Sequence, residues 1–501
     1  MNQAHDIRLT LQEAMALHQR GDAARAESMY RDVLSVLPEE PNALHLLGVL
    51  AWQRNDLPVA EEFIRRAIKI HPKVSAYYNN LGGVLKQKGD LPDAVRQYDV
   101  ALRISPRDEV VRKALSQTLH QHGMALAGER KWEDAKAAYQ RVLDLEPDNL
   151  ATLNNLASIV QHLNDRPTAH KLYAHALKVA PDNLLVRYNR SICYLTEARL
   201  EEGWNDFIAS ASYWHDKQDN RPGLPWLHLP LWKGDAAPGQ RILLWGSQGI
   251  GDEIVYASMV PDLLERGLQV TIECAERLVP IFARSFPGTT VIARQSPPLP
   301  GADFDCQTPG MWLGRWLRPN LQSFPPRKAF LKPEPELTAR LRQRYEAFGK
   351  KRILGLSWFT ASKAWGEKRS IELPDMLRLL PLKDLLVVDL QYGETADAWR
   401  EARKIFPDLT MFHDPEVDQF KDMDAFTAQV AACDHIYTIS NTTSHVAGAV
   451  GVPATVLMPE AGLSWYWFDK GEACPWYPSL RLLRPDLPNR LEAAAMIVHG
   501  T

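Results

Sequence analysis

The stretch IYTISNTTSHVAGAVG, residues 436–451, indicates how the C-terminal part of this chain folds. The apolar run at 435–439 predicts a buried strand. The capping residues at 440–444 and the small residues after them predict a turn and a helix that opens near His445. Such a helix start leaves backbone N–H groups unpaired, and together with the helix dipole it favours a bound phosphate. An ordinary well-capped turn is the alternative.

Strands and helices alternate on both sides of that stretch. Apolar runs predict further strands at 241–245, 269–275, 289–293, 353–358, 385–390, 409–412, 454–458 and 480–483. Because helical segments lie between most of them, the sequence predicts parallel, doubly wound sheets. We divide this region into a first α/β half, 241–340, and a second α/β half, 341–501.

Residues 1–212 show a different, helical pattern that repeats. Three of the four intervals between recurring prolines equal 34 residues, the tetratricopeptide period, and the fourth is seven residues longer. The prolines are Pro38, Pro72, Pro106, Pro147 and Pro181. The longer interval indicates either two extra helical turns or a loop near 107–114. A degenerate sixth repeat is expected at 184–212, since terminal repeats cap the stack.

Within each repeat, small and bulky residues recur in register. The small residues, which let paired helices cross closely, are Ala14, Gly48, Gly82, Gly123 and Ala157. The bulky residues, which fill the gap beside them, are Tyr30, Ile64, Tyr98, Tyr139 and Tyr173. The sequence therefore predicts an all-α repeat array whose groove binds a peptide or a protein partner.

Residues 213–240 form the predicted linker between the array and the first α/β half. Their prolines and glycines break the helical pattern. Because Trp214, Trp226 and Trp232 are apolar, we expect the segment to pack against both flanking domains and not to act as a free tether.

Bulk composition excludes several classes of protein. A chain of 501 residues is too long for one core, so two or three domains are expected. The net charge of -3 argues against a general nucleic-acid or membrane-surface binder. Five scattered cysteines without a CxxC pair indicate a reducing compartment, with no disulfide framework and no zinc site. No signal segment or membrane-spanning apolar run is recognised, so a cytoplasmic location is expected.

Two charged segments are candidates for a catalytic or a phosphate-binding role. Asp252 follows Gly249 and Gly251 at the end of a predicted strand, where it suits either a helix cap or a general base for an acceptor hydroxyl. Lys368 and Arg369 follow another predicted strand, where they suit either a diphosphate leaving group or a solvated basic loop.

Two further segments are ambiguous or discounted. A dense aromatic set either stacks on a base or sugar or covers the sheet, and it comprises Trp465, Trp467, Trp476 and Tyr477. Asp303-Phe304-Asp305 mimics a DxD metal motif, but it lies in a proline-rich region, and we assign no metal to it.

The two α/β halves resemble the GT-B glycosyltransferase architecture. The segment GIGDEIV, 249–255, resembles the glycine–aspartate turn of lipopolysaccharide heptosyltransferases, which implies that Asp252 is the base. The segment NTTSHVAGAVG, 441–451, resembles their donor-phosphate turn. The resemblance implies that the donor is held by Gly249, Gly251, Lys368, Arg369, Asn441, Thr442, Thr443, Ser444, His445 and Gly448. Ser440 stands where those enzymes carry an acidic residue, so recognition of the donor sugar differs.

The whole chain is similar to bacterial tetratricopeptide proteins with a C-terminal glycosyltransferase domain. Its layout also resembles protein O-GlcNAc transferase, in which repeats present a protein acceptor, and some bacterial members act on flagellin. The resemblance implies metal-independent transfer of a sugar from a UDP-, ADP- or CMP-linked donor to serine or threonine, with no further cofactor. A catalytically inactive repeat scaffold and a transferase acting on a glycan or lipid-linked acceptor are the alternatives.

Overall fold

The structure is a computed structural model, and it describes residues 2–209, 229–235, 237–246, 249–294, 304–360, 369–378, 380–459 and 464–486. Contacts divide the chain into two compact units, Met1–Pro181 and Asp182–Thr501. Four residues singled out from the sequence lie outside the described residues: Trp214, Trp226, Asp303 and Lys368. In the described part of the chain, no helix combines the length and the apolar character needed to cross a membrane.

The first unit is entirely helical in its described residues. Its helices are α1 Asn2–Gln19, α2 Ala23–Val36, α3 Pro41–Gln53, α4 Leu57–Ile70, α5 Ser75–Lys88, α6 Leu91–Ile104, α7 Glu109–Gly128, α8 Trp132–Leu145, α9 Leu150–His162 and α10 Arg166–Val179. The second helix of several pairs starts with an aspartate cap and a proline in its first turn. Asp56 accepts the Val59 N–H at 3.4 Å, for example, and Pro58 follows within the first turn of α4.

Close packing of small against bulky residues confirms the predicted register of the repeats. A Cβ added to Gly82 would lie 2.8 Å from the Tyr98 ring, and one on Gly123 would lie 2.7 Å from Tyr139. Gly48 meets Ile64 in the same way at 2.6 Å. The structure also explains the longer interval between Pro106 and Pro147. Helix α7, which lies in it, has 20 residues, whereas α5 has 14, so the additional residues lengthen the helix.

The packing at Gly82 predicts a measurable loss of stability on substitution. We expect Gly82→Ala to lower the free energy of unfolding by about 1–3 kcal/mol, because Tyr98 is buried and cannot move away. Gly128→Ala is the matched control, since a Cβ there meets no atom within 4 Å and α7 should gain about 0.5–1 kcal/mol. Urea unfolding of both variants checks the prediction, which fails if both substitutions stabilise the protein.

The second unit begins with a helix pair, α11 Leu184–Thr196 and α12 Leu200–Ala209, and continues with a four-stranded parallel sheet. The strands of this sheet lie in the order β3-β2-β1-β4. Their bounds are β1 Arg241–Trp245, β2 Gln269–Cys274, β3 Thr290–Ala293 and β4 Cys306–Pro309, and the helices among and after them are α13 Ile250–Ala257, α14 Val260–Glu265, α15 Val279–Ser285, α16 Leu313–Leu317 and α17 Pro335–Glu346.

A second parallel sheet of six strands completes the unit. Its strands lie in the order β10-β9-β8-β5-β6-β7. The elements are β5 Arg352–Ser357, α18 Leu373–Leu377, β6 Leu385–Asp389, α19 Ala396–Ile405, β7 Thr410–Phe412, α20 Met423–Ala431, β8 His435–Ile439, α21 Thr442–Val450, β9 Ala454–Leu457 and β10 Leu480–Leu483. One hydrophobic core includes residues of both sheets and of α11 and α12. The predicted α/β class is confirmed, and the GT-B arrangement stays a prediction.

The helix pair α11–α12, which the sequence analysis grouped with the repeats, belongs to the same compact unit as the sheets. Trp204 on α12 explains why. Its indole N–H donates to the Arg318 carbonyl at 3.0 Å, and its ring lies against Gly314 and edge-on to Trp465 at 5.2 Å. The end of the predicted linker packs on the first sheet, because the main-chain N–H of Trp232 donates to the Gln307 carbonyl at 2.9 Å.

Candidate active site

Two helix starts, one from each sheet, meet inside the second unit. Helix α13 begins after β1 with Gly249 at its N-cap, and α21 begins after β8 with Asn441 at its N-cap. The two helices touch at Gly251, where an added Cβ would lie 2.8 Å from the ring of His445. Because helix N-termini carry partial positive charge, their meeting point favours an anion.

Asp252 lies at the third position of α13. Its carboxylate accepts the Gly249 N–H at 3.2 Å and is also hydrogen-bonded by the Tyr466 hydroxyl. Burial raises the pKa of this carboxyl, although the two hydrogen bonds and the charge of Arg369 act in the opposite direction. The side chain thus supports the helix start, as a cap does, and it also lies where the two halves meet. Both interpretations drawn from the sequence fit this geometry.

His445 is buried among aromatic rings. Its Nδ1 shares a hydrogen bond of 3.0 Å with the Tyr477 hydroxyl, and its ring lies 4.8 Å from that of Trp467. Burial, together with the positive charge of Arg369, lowers the pKa of His445 to about 3, so the imidazole is neutral at physiological pH. Any contact that His445 makes with a phosphate would therefore be a hydrogen bond from a neutral ring.

The turn residues of α21 are largely directed inward. The Asn441 side chain accepts the Thr443 N–H at 3.1 Å, and the Ser444 hydroxyl donates to the Asn441 carbonyl at 2.6 Å. Thr442 is partly exposed, whereas Thr443 and Ser444 are buried. Gly448 packs against Tyr477, whose Cγ would lie 2.4 Å from an added Cβ. In this structure the small residue at 448 makes room for a ring of the same chain, and its role toward a donor stays a prediction.

Arg369 is the member of the predicted basic loop that the structure describes. Burial lowers the pKa of its guanidinium, whereas Tyr466 and the charge of Asp252 raise it. These interactions place Arg369 near Asp252. The structure thus brings together Gly251, Asp252, Arg369 and His445, which the sequence predicted separately. Tyr466 was missed, although it lies between Trp465 and Trp467 of the predicted aromatic set.

The loop after β5 is fastened to the turn before α21 by a hydrogen-bond network. Gln391, which follows β6, accepts the N–H groups of Trp358 and Phe359 at 3.0 and 2.9 Å. The Asn441 amide donates to the Ser357 hydroxyl at 2.8 Å. The carboxyl ends of three neighbouring strands, β8, β5 and β6, are therefore held as one edge, which is where open α/β sheets bind ligands.

The aromatic set predicted from the sequence covers the sheet. Its members are at most 8% exposed: Trp465, Trp467, Trp476 and Tyr477. A different row of rings, which was not predicted from the sequence, lies along the carboxyl edge of the second sheet. It is formed by Phe359, Tyr392 and Phe420. The Tyr392 ring centroid lies 6.4 Å from that of Phe359 and 6.1 Å from that of Phe420. Phe359 is 42% and Phe420 is 57% exposed. Phe359 and Tyr392 lie within two residues of the ends of predicted strands, which was the available signal, whereas Phe420 lies eight residues after one. We call these three residues the aromatic row.

The segment that mimics a DxD motif is engaged in a local contact. Asp305 pairs with Arg241 at 2.8 Å.

Family models match the first unit. Tetratricopeptide repeat models match residues 11–75 and 120–165, and a second tetratricopeptide model matches residues 74–105. The N-terminal helix pairs are tetratricopeptide repeats. Repeats of this kind provide a scaffold for binding proteins or peptides.

A relative and several solved structures are similar to parts of the chain. Protein FlbA of Caulobacter vibrioides is 29% identical over 330 residues, which are 60% of this chain and 52% of FlbA. The chain therefore spans about half the length of that relative. YrrB, described as a TPR protein with an unusual peptide-binding site, is 18% identical, with 36% of this chain and 90% of YrrB covered and a TM-score of 0.29. MamA from Desulfovibrio magneticus is 17% identical, with 35% and 96% covered and a TM-score of 0.28.

Proposed function

We propose that this protein is a glycosyltransferase that moves a sugar from a nucleotide-sugar donor to serine or threonine hydroxyls of a protein. The observation that carries the proposal is the meeting of the two helix starts, with Gly251 against His445 and with Asp252 and Arg369 beside them. A buried carboxylate next to a phosphate-favouring helix start supplies the two parts that the reaction needs. These are a base for the acceptor and a site for the leaving diphosphate.

The positions of the residues indicate what each would do in the reaction. Asp252 would take the proton of the acceptor hydroxyl as its oxygen bonds to the anomeric carbon. The bond from that carbon to the diphosphate breaks, and the electron pair leaves on the nucleotide. The start of α21 and the charge of Arg369 would stabilise the departing diphosphate. The tetratricopeptide repeats would hold the acceptor protein.

The aromatic row supports a nucleotide as the leaving group. Because β8, β5, β6 and β7 are neighbours, the row extends from the α21 turn toward β7, over strand spacings of about 4.8 Å each. A diphosphate at the α21 turn would therefore direct its nucleoside along this edge. The Arg277 guanidinium lies over the Phe420 ring, 4.7 Å from its centroid, and the ring remains 57% exposed. Partly exposed flat rings of this kind suit stacking on a base.

Phe420→Ala should therefore weaken nucleotide binding while leaving the fold intact. Base–aromatic stacking contributes about 1–3 kcal/mol, whereas removal of an exposed ring changes unfolding by about 0.5 kcal/mol or less. Calorimetric titration with the nucleotide measures the loss. Phe348→Ala is the matched control, because Phe348 is similarly exposed at 39% and its ring contacts Phe412, which is not a member of the aromatic row. Equal affinities of the two variants would exclude the row from the donor site.

The experiment that tests the proposed function supplies the full chain with radiolabelled UDP-, GDP-, ADP- and CMP-linked sugars and a bacterial protein extract. We expect one donor class to release its nucleotide and to label protein, and alkaline β-elimination to remove the label, as O-linked sugars require. Label in the lipid or free-glycan fraction would favour the alternative acceptors. Absence of both release and labelling would leave a repeat scaffold as the function.

A further inference from the structure

The Tyr256 hydroxyl is a buried polar group without a hydrogen-bond partner among the described residues. Tyr256 lies on α13, one helical turn after Asp252, and is 5% exposed. Residues four apart share one face of a helix, and helical side chains lean toward the N-terminus. Tyr256 therefore shares a face of α13 with Asp252, and the two groups interact electrostatically.

Other buried tyrosines of this unit have hydrogen-bond partners. The Tyr466 hydroxyl bonds to Asp252, and the Tyr477 hydroxyl bonds to His445. The Tyr345 hydroxyl donates to Asp414 at 3.1 Å. Because buried hydroxyls are nearly always hydrogen-bonded, the hydroxyl of Tyr256 calls for a partner that none of the described residues supplies.

The surroundings indicate where that partner would lie. Burial raises the pKa of Tyr256 well above its usual value. The negative charge of Asp252 raises this pKa further, and Tyr466 and Tyr188 make smaller contributions in the same direction. The pKa of Tyr188, on α11, is likewise raised to about 12, by burial and then by the charge of Asp252.

We propose that Asp252 and Tyr256 form the subsite for the acceptor hydroxyl, and that the Tyr256 hydroxyl is hydrogen-bonded to the oxygen that is glycosylated. This inference rests on the proposed function and adds a second contact to the acceptor. The Tyr256 hydroxyl fixes the acceptor oxygen while the acceptor proton passes to Asp252. Fixing the nucleophile in this way raises the rate, because the reacting atoms are already oriented.

The test is Tyr256→Phe in the full chain, which removes only the hydroxyl. Nucleotide release is measured from the donor that the wild type uses, with water in place of the acceptor hydroxyl, together with thermal unfolding. We expect kcat for release to fall about tenfold or more with the donor KM unchanged. The melting temperature should stay level or rise, because an unsatisfied buried hydroxyl has been removed.

Tyr345→Phe is the matched control, since its hydroxyl has partners within the chain. It should lower the melting temperature and leave kcat unchanged. The inference is overturned if Tyr256→Phe keeps kcat within about twofold of the wild type, or if its melting temperature falls as in Tyr345→Phe. If the wild type releases nucleotide and Asp252→Ala does not, either of these outcomes for Tyr256→Phe refutes this inference and leaves the proposed function standing. If the wild type itself releases none, the proposed function fails and this inference falls with it.

Discussion

Asp252→Ala is expected to lower the rate of sugar transfer by about 10² to 10⁴-fold, the usual contribution of one positioned general base. The substitution removes the carboxylate that accepts the Gly249 N–H and the Tyr466 hydroxyl, but it leaves the helix start and Arg369 in place. Donor affinity should therefore change little, and the fall should be in kcat. Initial rates of nucleotide release, with donor affinity from calorimetry, separate the two effects.

A matched control removes another aspartate from the start of a helix. Asp422 caps α20 and accepts the Ala425 N–H at 2.9 Å. Asp422→Ala should cost about 1 kcal/mol of stability and leave transfer unchanged. If Asp252→Ala instead behaves like Asp422→Ala, losing some stability but no activity, Asp252 is only part of a cap.

Trp204→Ala is expected to lower the free energy of unfolding by about 3–5 kcal/mol, because it empties a fully buried site. The loss should be concentrated in the second unit. Trp204 contacts Gly314, Arg318 and Trp465, all of which lie in that unit. Hydrogen exchange measured by mass spectrometry shows which strands lose protection.

Trp132→Ala serves as the control in the repeats, where Trp132 stacks on His162 at 5.0 Å. Its effect should appear in α8 and α9, with β1 and β4 still protected. A loss of protection in the repeats on Trp204→Ala, with β1 and β4 unaffected, would show that α11 and α12 belong with the array.

Sequence periodicity predicted the repeats well because each repeat imposes the same packing. Gly82 and Tyr98 must be 16 positions apart for the two helices to cross closely, and the same spacing recurs at Gly48 and at Gly123. Apolar runs likewise predicted most strands to within a residue or two, because parallel strands covered on both faces are continuously apolar. The strand β4, CQTP, was missed because it contains a glutamine, a threonine and a proline.

The candidate site was harder to predict because its contacts join distant parts of the chain. The helix starts near Asp252 and His445 were found, since helix starts have a local signature, although α21 begins at Thr442, three residues before the predicted position. The sequence could not show that His445 would be enclosed by Trp467 and Tyr477, because that depends on tertiary packing. For the same reason the exposed Phe420 was missed and the buried Trp465 was considered as a stacking surface.

The central claim is that the second unit binds a nucleotide-sugar, and a thermal-shift screen of the full chain tests it most directly. The ligands are UDP, GDP, ADP and CMP, each alone and as sugar conjugates, with Phe420→Ala and Asp252→Ala beside the wild type. A ligand at about 100 times its Kd adds about 2.7 kcal/mol of stability. We predict that one nucleotide class stabilises the wild type and Asp252→Ala alike and stabilises Phe420→Ala less. No stabilisation of the wild type by any of these ligands would contradict the claim.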